Sequence, residues 1–487
     1  MIRKAALGMT GGLVLLVAAI LFNTFGFVPP EPPVVEPAAP IAVDLAGAVE
    51  RLVRTLRLPT ISYQDPNALD RDAFLALHDE LEASFPGVHA TLEKEIVADL
   101  SLLYTWPGQN RRLKPLLLLA HQDVVPVLEG TEDIWTHPPF AGVVADGQIW
   151  GRGTLDNKSG VTGILEAVEL LLAQGFTPAR TVYLAFGHDE EVGGDGALAI
   201  AELLKKRGVE LAAVVDEGGY ITEGILADVN APVALIGIAE KGYVTLELTA
   251  EGAGGHSSKP PKQTAVGVLS QAIVRLEEIP FPARFDGATA AMFEHVGPSL
   301  PWGQRVIFAN LWLTRPLLLN SLSAEPSTSA MIRTTTAATM VSGSEKENVL
   351  PIIAKGKVNF RILPGETPES VTQRAREIIA DPRVQVGMGD VANSPSTVSS
   401  TDNPAYQALE KAIHQVLPED RVLVAPYLVI GQTDSRHFAD LSEGVYRFIG
   451  ARIFPNNIDG MHGTNEHLSV ASYEETIRIF VQLLRNI

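Results

Sequence analysis

From Leu116 to Pro126 the chain reads L-L-L-L-A-H-Q-D-V-V-P. An apolar run with no polar interruption predicts a strand buried on both faces, which delivers His121 and Asp123 to its carboxyl end. Around it, helical and strand spacing alternate. Phe74, Leu75, Leu77 and Leu81 give helical spacing over Arg71 to Phe85, closed by Pro86-Gly87. Val161 to Ala173 predicts a second helix ending at Gly175, and the strand Thr181 to Phe186 leads into H-D-E-E, His188 to Glu191. A helix over Ala197 to Lys206, with Gly208 as its cap, precedes a strand over Ala212 to Val215 that ends at Asp216-Glu217. Strands separated by helices of this length predict an α/β fold with a mostly parallel sheet, whose ligands collect outside the carboxyl ends of the strands.

Between Lys241 and Val391 the pattern changes. Strands are expected over Tyr243 to Ala250, Thr334 to Val341, Lys355 to Ile362 and near Val384, with helices over Thr264 to Ile279 and Pro368 to Ile379. That β-α-β-β-α-β order predicts an inserted ferredoxin-like α+β domain. Within it, Phe285 to Pro326 is rich in Phe, Trp and Leu, including Phe293, Trp302, Phe308 and Trp312. It reads as packing for an enlarged inserted domain, or as a hydrophobic wall for substrate. At the start, Arg3 and Lys4 precede an uncharged run from Ala5 to Val28, long enough to span about 30 Å of hydrocarbon. An uncleaved anchor with the rest of the chain outside the cytoplasm, periplasmic or extracellular, is the expectation, with secretion the outcome if the segment is a cleaved signal. Residues 29–42 are Pro-rich and read as a stiff spacer. The organisation expected is therefore residues 1–28 anchor or signal, 29–42 linker, 43–240 first catalytic part, 241–391 inserted domain and 392–487 second catalytic part.

Composition narrows the chemistry. A chain of 487 residues with 46% hydrophobic content suffices for two or three packed domains. A net charge of -19 argues against nucleic acid, whose binding needs clustered cations. There is no cysteine, so disulfides, thiol nucleophiles and sulfur-ligated metals are excluded.

What remains is His, Asp and Glu, and these gather where the strands end. His121, Glu190, Glu191 and Asp216 fall at such ends, and Asp156 stands before a crossover helix. Carboxylates converging on a partly dry rim would repel one another unless a cation neutralised them. Imidazole and carboxylate donors without sulfur suit zinc, with manganese or cobalt as substitutes. The carboxylates exceed what one zinc needs, which predicts two metals, one carboxylate shared and another left as a base.

The segments H-Q-D-V-V-P, W-G-R-G-T-L-D-N-K around Asp156, H-D-E-E-V-G-G, V-D-E-G-G and M-H-G-T-N-E-H-L resemble, in order, the dinuclear-zinc metallopeptidases that include aminoacylase, carnosinase and succinyl-diaminopimelate desuccinylase. The branch of carboxypeptidase S and the N-fatty-acyl-amino-acid hydrolases is the most similar. This resemblance implies that His121 and Asp216 hold one metal, Glu191 and His462 the other, and that Asp156 bridges them. It makes Glu190 the general base and Asp123 the aspartate that orients the His121 ring. It pairs His462 with Glu466 and implies a cis peptide at Asp156-Asn157. His256, in Gly-Gly-His-Ser-Ser, corresponds to a histidine of the inserted lid that reaches the oxyanion. Asn348, Arg361 and the Gly431, Thr433 and Arg436 of G-Q-T-D-S-R-H-F correspond to substrate positions, Arg361 as partner of a carboxylate. Gln432 stands where relatives carry a glycine. The lid is also the expected face of a homodimer.

The expected function is hydrolysis of an amide bond beside a free carboxylate, as in a carboxypeptidase S-like peptidase. An N-acyl amino acid hydrolase is the alternative within enzymes. A catalytically inactive binding protein on the same fold and a solute-binding module are the alternatives of another class; the presence of the base and every ligand argues against the first, and the second would not need Glu190 beside Glu191.

Overall fold

Most strands fall into two large sheets, beside a three-stranded and a two-stranded one, in a computed structural model, which describes residues 2–33, 35–36, 41–418 and 421–487. In the larger sheet, the Leu116–His121 strand lies between Val182–Gly187 and Ala213–Asp216, parallel to both. All of its positions are buried, because both faces are covered. Leu116, Leu118 and Ala120 pack with Val161, Ile164 and Val168 of the Lys158–Ala173 helix. Leu117 and Leu119 pack on the opposite side with Ala197, Ile200 and Leu204 of the Asp195–Lys206 helix. The unbroken leucine run is thus the signature of a doubly covered strand.

The sheet is mixed, which corrects the mostly parallel expectation. Glu93–Val97 and Ser101–Trp106 form an antiparallel hairpin, and Ser101–Trp106 runs antiparallel to Val182–Gly187. The 98–100 connection is far too short for the crossover that a parallel pair requires. Ile221–Thr222 likewise pairs antiparallel with Val233–Glu240.

Residues 242–393 contribute the second sheet, in the order Thr335–Ser342, Ile353–Ile362, Gly242–Glu251, Val384–Asn393, antiparallel throughout. Val244, Leu246, Leu248 and Ala250 alternate inward and pack, with Val358, Phe360 and Ile362, against the helices Ala265–Glu278 and Pro368–Ile379. The opposite face of the two central strands carries Tyr243, Thr245, Glu247, Lys357, Asn359 and Arg361.

The apolar stretch from Phe285 onward does not enter that core. It forms helices Gly287–Val296, Trp302–Ala309, Leu311–Leu322 and Pro326–Ile332. Met292, Val296 and Leu300 pack on Val233, Leu235 and Ala425 of the larger sheet. Trp302, Trp312, Leu313 and Leu317 stay exposed.

The expected membrane span is corrected as well. Helix Ile2–Gly26 forms, yet among the described residues no helix is long and apolar enough to cross a membrane. Its end is also occupied: Asn23 donates to Asn310 Oδ1 at 3.1 Å, Asn310 donates to Thr24 Oγ1 at 3.1 Å, and Phe25 packs on Trp302. The anchoring, and the location outside the cytoplasm drawn from it, lose their basis. Of the expected spacer, residues 34 and 37–40 lie outside the described residues. Pro29, Pro30 and Pro32 line a cavity with His414 and Leu417 and lie against the body of the protein.

Candidate metal centre

Each candidate ligand is placed by a local feature of the chain. His121 ends its strand. Asp156 precedes the Lys158–Ala173 helix across a cis Asp156-Asn157 peptide. Glu190 and Glu191 occupy a 3₁₀ turn after Val182–Gly187, closed by Gly193 and Gly194 with φ of 140° and 73°. His462 lies in a loop at φ 56°.

Two groups result, joined by Asp156. His121 Nε2 lies 2.8 Å from Asp156 Oδ1 and 3.3 Å from Glu217 Oε1. His462 Nε2 lies 3.0 Å from Asp156 Oδ2 and 3.1 Å from Glu191 Oε2. In each group the donor atoms lie within 4.8 Å of one another, a spacing suited to a cation held at about 2.0–2.2 Å.

The partner of His121 differs from the expectation. Asp216 does not face the imidazole: its Oδ1 accepts from Glu217 N at 2.9 Å and its Oδ2 from Ser435 N at 2.7 Å. Glu217 is the carboxylate that the structure brings against His121 Nε2, at 3.3 Å. The chain can turn there because Gly218 sits at φ 97° and a Cβ on Gly219 would strike the carbonyls of Arg447 and Leu235. The D-E-G-G sequence contained both candidates, but strand alternation cannot choose between them once the strand has ended.

Two buried carboxylates support the rim. Asp123 Oδ1 lies 3.2 Å from His121 Nδ1 and accepts from Glu190 N, while its Oδ2 accepts from Glu191 N and Ser62 Oγ. One aspartate therefore ties the imidazole to the turn that carries both glutamates. Glu466 is fully buried; its Oε1 accepts from Leu155 N at 2.7 Å and Asp156 N at 3.1 Å, its Oε2 from Arg152 Nη1 at 2.7 Å and Gly153 N at 3.0 Å. Arg152 escaped the sequence reading, although W-G-R-G offered it. His467 is buried and stacks on Trp150.

The charges fit a cation better than they fit each other. Burial, followed by the Asp156 charge, pushes Glu191 up to about 7 and Glu217 up to about 8. Hydrogen bonds to Asp156 and Glu191 push His462 up to about 10. Burial raises Glu190 well above the ordinary carboxylate range. Such a set must share protons when alone, and divalent cations would replace those protons. Glu191 Oε1 is buried without a hydrogen-bond partner among the described residues, an acceptor awaiting a donor or an ion.

The remaining predicted residues lie around this rim and on the second sheet. Thr433 is turned inward, its N and Oγ1 donating to Glu240 Oε2. Arg436 is engaged with protein, donating to Thr433 O at 2.8 Å and to Gly193 O at 2.6 Å, with Nη1 3.9 Å from Glu190 Oε1. In this position it braces the glutamate turn. Gly431 has open space above it. His256 is exposed on a two-residue strand paired with Val349–Leu350, and its Nδ1 accepts from Ser258 N. Asn348 O accepts from Ser257 N nearby. Arg361 lies on the polar face of the second sheet, its Cζ 4.9 Å from the Tyr243 ring centroid.

The model of peptidase family M20/M25/M40 matches residues 117–486. The chain belongs to that family. Within M20 it is 39% identical over 443 residues, 90% of this chain and 87% of the other, to the N-fatty-acyl-amino acid synthase/hydrolase PM20D1 of Bos taurus. It is 36% identical over 485 residues, 97% and 92% of the two chains, to the probable carboxypeptidase S-like 2 of Dictyostelium discoideum. The M20 metallo-carboxypeptidase Sso-CP2 of Sulfolobus solfataricus shares the fold, with a TM-score of 0.65 at 18% identity over 90% of this chain and 98% of that one. The protein is an M20 metallohydrolase.

Proposed function

We propose that this M20 enzyme hydrolyses an amide bond next to a free carboxylate, and that the group on the acyl side is bulky and apolar: a long-chain N-acyl amino acid, or a dipeptide with a large apolar first residue. The observation that carries the reading is the pair of donor groups sharing Asp156, with Glu190 adjacent to Glu191 yet in neither group. His121, Asp156 and Glu217 would hold one cation and Asp156, Glu191 and His462 the other, both zinc. Bound there, such ions supply Lewis-acid polarisation of a carbonyl and acidification of water.

The chain does the rest. Glu190, whose pKa burial raises above the ordinary carboxylate range, takes the proton of the attacking water and returns it to the departing amine nitrogen. Asp123 holds the Glu190 backbone in place. His256, on the two-residue strand paired with Val349–Leu350 in the inserted domain acting as a lid, donates to the oxyanion on closure. Arg361 takes the substrate carboxylate; among the described residues no carboxylate pairs with it, and its planar fork suits a bidentate anion. The exposed Trp302, Trp312, Leu313 and Leu317, and the name of the PM20D1 relative, support an apolar acyl group.

Rates over a series of N-acyl chain lengths and over matched carboxamides test this. Each methylene should raise kcat/KM about fourfold until the site is full, from ~0.8 kcal/mol per CH₂. Amidation should remove most activity. A flat series would leave a small-peptide carboxypeptidase, in line with the carboxypeptidase S-like relative, and full activity on carboxamides would remove Arg361 from its role.

A further inference from the structure

Arg361 belongs to a row of side chains that crosses the polar face of the second sheet. In register, Thr335 stands opposite Arg361, Arg361 opposite Tyr243, and Tyr243 opposite Asn393. Directly opposed residues of antiparallel strands share a face, here the face away from Val244, Phe360 and Ile362. The guanidinium lies over the Tyr243 ring at 4.9 Å. That ring is itself fixed: Asn359 Nδ2 donates to Thr245 Oγ1 at 3.1 Å, and Thr245 Oγ1 donates to Tyr243 OH at 3.1 Å. At the other end, Asn393 Nδ2 donates to Gln432 Oε1 at 3.2 Å, tying the row to the loop that braces the glutamate turn.

We propose that Tyr243 is the specificity-determining platform for the substrate carboxylate: its ring, held by the Asn359 and Thr245 relay, fixes the Arg361 guanidinium flat and leaves its N–H donors free for a planar anion. This rests on the reading that Arg361 receives the carboxylate. An arginine on four rotatable bonds loses much freedom on gripping an anion, and a ring beneath it removes part of that freedom beforehand. Stacking also neutralises none of its charge, unlike a carboxylate partner, so the full cation remains available. Tyr243 touches neither metal group, which makes it a positioning residue whose loss is felt in binding.

The test compares kcat and KM for an N-acyl amino acid and its carboxamide in the zinc-loaded enzyme and in Tyr243→Leu, Tyr243→Phe and Arg361→Ala. Tyr243→Leu should raise KM for the acid by about 3- to 30-fold, the range of an arginine–aromatic contact from exposed to desolvated. Its kcat, and its kcat/KM on the carboxamide, should stay within about twofold of the parent. Tyr243→Phe, which keeps the ring but loses the relay's bond to the hydroxyl, should raise KM for the acid by less than Tyr243→Leu does and leave the carboxamide unchanged within about twofold. Arg361→Ala should erase the preference for the acid. An unchanged acid preference in Tyr243→Leu beside a collapsed one in Arg361→Ala overturns the platform and leaves the carboxylate reading standing. A preference that survives Arg361→Ala overturns both. A fall in kcat on both substrates in Tyr243→Leu marks a structural role only and overturns the platform.

Discussion

Glu466→Gln isolates the support of the bridging aspartate. The glutamate is fully buried and surrounded by four donors: Leu155 N and Asp156 N on one oxygen, Arg152 Nη1 and Gly153 N on the other. Burial pushes its pKa up, but a site composed only of donors, one of them a guanidinium, requires the carboxylate form. A carboxamide can keep one oxygen, so whichever way it turns its NH₂ faces two donors and two bonds to a charged acceptor are lost. At roughly 1.5–3 kcal/mol each, and with Arg152 only 2% exposed, the loss matches the ~3–5 kcal/mol expected when a buried ion pair is broken. Because both lost-bond alternatives touch the Gly153–Asp156 turn, the cation sites should weaken along with the fold. Urea unfolding of the metal-free and zinc-loaded forms measures both effects, and the gap between the two curves should shrink in the variant. Parent-like stability with full zinc content would refute the support role. Arg152→Met in the Glu466→Gln background should recover part of the loss, since it removes the stranded cation.

Two further predictions follow from particular groups. Glu217→Gln should lose one bound zinc per chain while Asp216→Asn keeps both, read by metal analysis after dialysis; the reverse result would restore Asp216 as the ligand. Burial, reinforced by the Arg436 guanidinium, brings His437 down to about 4. The unfolded chain protonates this residue near 6.5 and the folded chain only near 4, so the unfolded state binds more protons between those values and stability falls as pH drops through that window. Metal-free His437→Gln should therefore lose less stability than the parent between pH 6.5 and 4.5 in urea titrations, and parallel losses would reject the buried neutral imidazole.

Much of the rim was legible because strand burial and chemistry coincide. The Leu116–His121, Val182–Gly187 and Ala213–Asp216 strands are apolar almost to their ends, so the ionisable groups at or just after those ends gather along the carboxyl edge. Legibility ended where the backbone leaves regular geometry. Glu217 and Asp216 could not be ordered, since alternation carries no information beyond a strand's end. Arg436, a substrate position by resemblance, donates to the carbonyls of Thr433 and Gly193, contacts that the local sequence does not reveal. The sheet's antiparallel hairpins rest on short links that spacing alone reads as loops. The N-terminal run was misjudged for a different reason: its length suited a membrane, while Asn23 and Thr24 are paired with Asn310 of a helix nearly three hundred residues away, which no local pattern reveals.

Metal content and amide hydrolysis, measured on the parent, Glu190→Gln and Glu191→Gln, bear most directly on a two-cation site with a separate base. The parent and Glu190→Gln should each hold two zinc ions per chain, with kcat lower in Glu190→Gln by roughly 10²–10⁴-fold, whereas Glu191→Gln should lose metal. A Glu190→Gln enzyme depleted of zinc beside a fully loaded Glu191→Gln, or one turning over at the parent rate, would contradict that division of labour between adjacent glutamates.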